Sequence, residues 1–112
     1  MPHMAIGIDI VNIHHFCQAL ESGGQSFVNS HFYPDEVSNK TNEHIAGIFA
    51  AKESIMKTGC VKPSDFLAIR IINTLDGKPI AHNAQGVEIE DLEISISHTD
   101  TVAVAVAVWN TL

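Results

Sequence analysis

Three short stretches carry the side chains that could do chemistry. In Phe49-Ala50-Ala51-Lys52-Glu53, followed by Lys57, a carboxylate and an ammonium stand four residues apart. On a helix that spacing puts them one turn apart on one face, and the two alanines leave room for a backbone or a ligand to come close. Asp9 sits inside the apolar run Ala5–Val11. A lone carboxylate there is costly unless it is paired, hydrogen-bonded or bound to a metal. Ser95-Ile96-Ser97-His98-Thr99 sets hydroxyl, imidazole and hydroxyl at a strand end, a set of donors suited to an anion.

Taken singly, each stretch also has a plainer reading. Asp9 can be satisfied by backbone N–H groups. Glu53 and Lys57 can be a solvated pair contributing ~0.3–0.5 kcal/mol. His98 can belong to a surface turn. His14 and His15 are adjacent, so on a helix they diverge and form no metal pair. H-E-x-x-H, G-x-S-x-G and Walker motifs are absent, and Cys17 and Cys60 read as two reduced thiols without C-x-x-C spacing.

The elements that must position these groups follow from the pattern. Ala5–Val11 predicts a buried strand. Asn12 caps a helix to about Leu20, stopped by Ser22-Gly23-Gly24. Phe27–Phe32 is ambiguous, and Tyr33-Pro34-Asp35-Glu36 opens a helix. Thr41 or Asn42 caps the longest helix, which ends at Gly59 and puts Ile45, Ile48, Phe49, Lys52, Ile55 and Met56 on one broad face. Phe66–Asn73 predicts a strand, Asp76-Gly77 a tight turn, Lys78-Pro79-Ile80 the return strand, and Asn83–Gly86 another turn. Leu92–Ser97 alternates. In Thr101–Trp109 the even positions are Val and Ala103, Ala105 and Ala107 alternate with them, so both sheet faces are apolar and both need cover. A helix on the alanine face and a core or subunit interface on the valine face would supply it. The order predicts an α+β domain, an antiparallel sheet packed on a long helix.

Length and composition agree. The 112 residues make a single domain, 1–112, in which residues 1–4 are expected to be peripheral: disordered, or left over from expression. Such a chain buries roughly 65% of its unfolded surface. At 46% apolar and 17% charged it is not disordered, and so little charge suggests that further copies of the chain cover part of the surface. A net charge of −7 argues against nucleic acid and anionic membranes as partners. No run reaches the length of a membrane helix and the N-terminus lacks the basic residues of a secretory signal, so the cytoplasm is the expected location.

Together, Gly7-Ile8-Asp9-Ile10-Val11, Gly47-Ile48-Phe49-Ala50-Ala51-Lys52-Glu53-Ser54-Ile55-Met56-Lys57, Gly77-Lys78-Pro79 and Ser95-Ile96-Ser97-His98-Thr99 resemble holo-acyl carrier protein synthase, the small 4′-phosphopantetheinyl transferase. The blocks occur in that family's order, at about its spacing, over residues 5–109. The resemblance implies that fold and a homotrimer with active sites between subunits. It implies transfer of the 4′-phosphopantetheine arm of coenzyme A to a serine of an acyl carrier protein, releasing adenosine 3′,5′-bisphosphate. It implies Mg²⁺ on Asp9 and Glu53, Lys52 and Lys57 near the phosphates together with Ser97, His98 and Thr99, and Gly77, Lys78 and Pro79 on the adenine side of the cleft. Glu53 and Lys57 would carry the catalysis, with Glu53 or a water as base for the serine.

The chain departs from the family where Ile48 replaces the usual Arg, and where Asn12 and His15 replace Glu and Arg. The first helix has no Lys or Arg to meet an acidic carrier protein. These departures motivate the alternative of a catalytically weak or inactive relative acting as a trimeric module that binds coenzyme A or the carrier.

Overall fold

A computed structural model describes residues 3–111. In chain order these are strand β1 (His3–Asn12), helices α1 (Ile13–His31), α2 (Pro34–Val37) and α3 (Asn42–Thr58), a 3-10 turn (Phe66–Ala68), and strands β2 (Arg70–Asn73), β3 (Pro79–His82), β4 (Leu92–His98) and β5 (Val102–Thr111). β5 lies between β1 and β4 in an antiparallel sheet, and β2 pairs with β3 in a separate hairpin. This is the expected α+β domain.

α3 begins and ends as its sequence predicts. Thr41 Oγ1 accepts the His44 N–H at 3.1 Å, and Gly59 closes the helix. The helix lies across one sheet face, where Ala103, Ala105 and Ala107 meet it with no exposed surface. Small residues on both sides, Ala50 and Ala51 on the helix among them, let it approach closely. Ile48 and Ile55 fill the same core, each worth about 1.5–3 kcal/mol of burial.

The other sheet face is uncovered within the chain. Ile6, Ile8 and Ile10 stand opposite Val108, Val106 and Val104 and are 65%, 60% and 68% exposed. β1 is therefore buried on one side only, where a strand buried on both was expected. It also begins at His3, so residues 3 and 4 belong to the sheet; the expectation for residues 1 and 2 lies outside the described residues.

Two further elements differ from their sequence patterns. Gly23-Gly24 breaks α1 where a stop was expected, but a second helical stretch follows at once. Gly24 (φ 59°, ψ −150°) kinks it, a conformation open essentially to glycine alone, and the helix resumes to His31. The kink folds Phe27 back, edge-on to Phe16 at 6.3 Å between ring centroids. The segment from Phe66 starts as a 3-10 turn because Phe66 and Ile69, three apart, both point into the core; only from Arg70 is it a strand.

Candidate active site

The site is built where β1 meets α3. A Cβ added to Gly7 would lie 1.9 Å from the Ser54 carbonyl oxygen, so a residue with any side chain would push the strand off the helix. Two residues along the same strand face, Asp9 stands beside Ala105 of β5, on the side of the sheet that α3 covers. On α3, Glu53 and Lys57 occupy successive turns. Lys57 Nζ donates to the Ile8 carbonyl at 2.9 Å and lies 3.4 Å from Asp9 Oδ1, bridging the two elements.

The electrostatics put the two acids in one shared environment. Burial pushes the Asp9 carboxyl above the usual carboxylate range, against the pull of Lys57. Burial also raises Glu53, and the negative charge of Asp9 adds to it; Lys57 and His31 oppose. All three side chains open into a groove of about 580 Å³. Phe16, Phe27 and Phe49 make its apolar wall, and Asn12 and His15 also line it.

Among the described residues, no group of three or more His, Cys, Asp or Glu could enclose a metal ion. Two hard oxygen donors, both made reluctant to ionise by burial and Glu53 also by the charge of Asp9, nonetheless fit a divalent cation completed by water and substrate. Mg²⁺ characteristically takes only one or two protein carboxylates.

Gly77, Pro79 and His98 do not reach this groove. They line a second one, of about 180 Å³, with Glu43, His44 and Asn73. At about 100° per residue, the mean directions of the α3 residues lining the two grooves lie roughly 150° apart around the helix. Burial, then the positive charges of Lys40 and His98, holds the His44 imidazole below its ordinary value. His44 had no motif to announce it. Its one signal is lying a turn before Gly47 on the same side of α3.

Four of the expected residues sit elsewhere. Ser97 is opposite Val104 and so projects from the other sheet face than His98. Thr99 Oγ1 accepts the N–H groups of Thr101 and Val102, each at 3.2 Å, and holds the β4–β5 turn. Lys78 pairs with Glu93 at 3.3 Å, beside the groove that its neighbours Gly77 and Pro79 line. Lys52 is fully buried on Glu36, 2.7 Å away, and in this conformation cannot reach a phosphate in either groove. Glu36 was legible only as an early acid of a short helix.

Comparisons with known proteins identify the fold and the family. The chain is 40% identical over 111 residues to a holo-[acyl-carrier-protein] synthase of a Nitratiruptor species, covering 92% of this chain and 96% of that protein. Its fold matches the Helicobacter pylori holo-[acyl-carrier-protein] synthase in complex with coenzyme A, with a TM-score of 0.77 and 30% identity over 91% of this chain and 96% of that one. The Bacillus anthracis holo-(acyl-carrier-protein) synthase in complex with CoA (3′,5′-ADP) matches with a TM-score of 0.78 and 28% identity, over 98% and 100% of the two chains. With residues 5–107 matching the family as a whole, the chain belongs to the 4′-phosphopantetheinyl transferase superfamily.

Proposed function

We propose that this chain transfers the 4′-phosphopantetheine group of coenzyme A to a serine of an acyl carrier protein, releasing adenosine 3′,5′-bisphosphate, in the cytoplasm. The observation that carries the reading is the convergence of Asp9, Glu53 and Lys57 on one groove from two distant elements. Among the described residues no helix is long and apolar enough to cross a membrane, which suits a reaction between water-soluble partners.

Asp9 and Glu53 would hold Mg²⁺. When bound, that cation supplies positive charge to the pyrophosphate oxygens. Lys57, half exposed and fixed at its tip by the Ile8 carbonyl, can meet the leaving phosphate and offset its growing negative charge. Bonds to the protein itself need not form, so binding and orientation carry the rate. Glu53 is also the side chain nearest in kind to a base for the serine proton, since burial raises its affinity for a proton.

The second groove suits the nucleotide end. Gly77 and Pro79 offer a flat turn, and His44 and His98 face the same space. Because one chain opens its two grooves on opposite sides of α3, a site that uses both takes one half from each of two neighbouring subunits. The exposed Ile6-Ile8-Ile10 face supports such an assembly, read as a homotrimer.

A second reading has its own observation. His15 lines the first groove where the family has Arg, and α1 carries no Lys or Arg along its whole length. On that reading the chain binds coenzyme A or the carrier without turnover. Incubation with coenzyme A, Mg²⁺ and purified carrier proteins separates the two: a mass gain of one phosphopantetheine on the carrier supports transfer, and binding without any gain supports the module. Asp9→Ala and Glu53→Ala should each abolish the gain and leave the fold intact; near-normal rates in both would remove the metal assignment.

A further inference from the structure

Lys52 adjoins Glu53 in sequence but points about 100° away around α3. Its ammonium is wholly buried and spends all three donors inside the protein: on Glu36 Oε1 at 2.7 Å, the His31 carbonyl at 2.8 Å and the Phe66 carbonyl at 3.3 Å. Glu36 is equally buried and equally satisfied. Its Oε1 also accepts the Tyr33 N–H, and its Oε2 accepts the Ile71 N–H, both at 2.8 Å. The backbone partners lie at the end of α1, the entry to α2, the 3-10 turn and β2.

A buried ion pair is a poor source of stability, because desolvation offsets most of the attraction and apolar residues of similar size often serve as well. What apolar residues cannot supply is direction. The four bonded backbone groups stand at the last residue of α1, the cap of α2, the 3-10 turn and the short hairpin strand β2, four separate segments whose mutual placement apolar packing alone would leave free to slide. Two of these segments lead to the grooves. The end of α1 carries Phe27 into the wall beside Glu53. β2, bonded through Ile71, runs directly into the turn Thr74–Lys78, on which Gly77 stands.

We infer that Lys52 and Glu36 act together as positioning residues, fixing the Gly77–Pro79 turn and the Phe27 wall relative to Glu53 and Lys57, without either touching substrate. The inference rests on the transfer reading only for its kinetic readout.

The test uses the assembled protein. In the wild type, the Ile71 amide should exchange with solvent hydrogen at least about a hundred-fold more slowly than the amide of Ala84, an exposed residue of the Asn83–Gly86 turn; equal rates would overturn the proposal. Lys52→Met alone leaves Glu36 buried and unpaired, so it is expected to fold poorly. Lys52→Met/Glu36→Gln removes both charges and keeps one acceptor. In this double variant the Thr74 and Gly77 amides, which bond to Lys78 and Thr74, should exchange about ten-fold faster while β5 amides stay unchanged. The KM for coenzyme A should rise about five-fold or more with a much smaller effect on kcat. Unmoved turn amides, or a loss confined to kcat as direct phosphate contact would give, overturn the inference. If the wild type shows no transfer at all, the functional reading fails, and the amide rates still decide the positioning role.

Discussion

The Cβ that Gly7 lacks would stand 1.9 Å from the carbonyl oxygen of Ser54, and its absence sets how near Asp9 comes to Glu53 and Lys57. The neighbour is helix backbone and cannot rotate away. Gly7→Ala must therefore lift β1 from α3, two residues from Asp9. It is expected to cost about 1–3 kcal/mol in urea denaturation. It should also lower kcat/KM about ten-fold or more, since misplacement of this size disrupts a shared site. Full turnover at reduced stability would show that the spacing of the two elements does not govern the chemistry.

Asp9 and Glu53 both bind their protons more tightly in the folded chain than in the unfolded one. Between the ordinary carboxylate range and their raised native values the folded state holds more protons, so stability falls as pH rises through that window. At neutral pH, well above the unfolded carboxylate range, both raised groups therefore oppose folding, though solvent access keeps the effect small. Glu53→Gln is expected to melt above wild type at neutral pH, by about a few degrees at most, and to lose that advantage in acid below the ordinary carboxylate range. Mg²⁺ should raise the wild-type melting temperature more than that of the variant. A variant that melts lower at neutral pH would place Glu53 in a stabilising pair instead.

Local signals made most of this fold legible. Thr41 and Gly59 bound α3 because capping depends on residues a turn away, and the Val–Ala alternation of β5 announced a helix on its small face. Asp9, Glu53 and Lys57 were legible as a set through their motif blocks. Lys52 was misplaced because its partner Glu36 lies 16 residues away and joins it only through the fold. Ser97 and His98 were read as one cluster, although strand alternation alone sends them to opposite faces. The break at Gly24 was legible, but a glycine pair does not say whether the helix resumes; Phe27 packing on Phe16 decides that.

Val104 offers a separate check on assembly. It is half-buried and stands opposite Ile10, alternating with the buried alanines that α3 covers. In an isolated chain, Asp at a surface site usually costs within about 0.5 kcal/mol. Against a neighbouring apolar face it would be an unpaired buried charge, costing several times more. Val104→Asp should therefore sediment as a smaller species than wild type, with its circular dichroism retained. Unchanged sedimentation and stability would mean that this face is not an interface.

The placement of the two grooves leads to a mixing experiment. Glu53 lines one groove and His98 the other, and no residue lines both. If each site joins two subunits, Glu53→Gln and His98→Ala damage different halves. Either variant alone should be nearly inactive. Unfolded together in equal amounts and reassembled at random, they form some sites whose two halves are both intact: one half from a His98→Ala subunit and the other from a Glu53→Gln subunit. That combination arises in roughly a quarter of sites for a closed ring. Turnover should accordingly recover to about a quarter of the wild-type value, whereas sites contained within single chains would recover nothing.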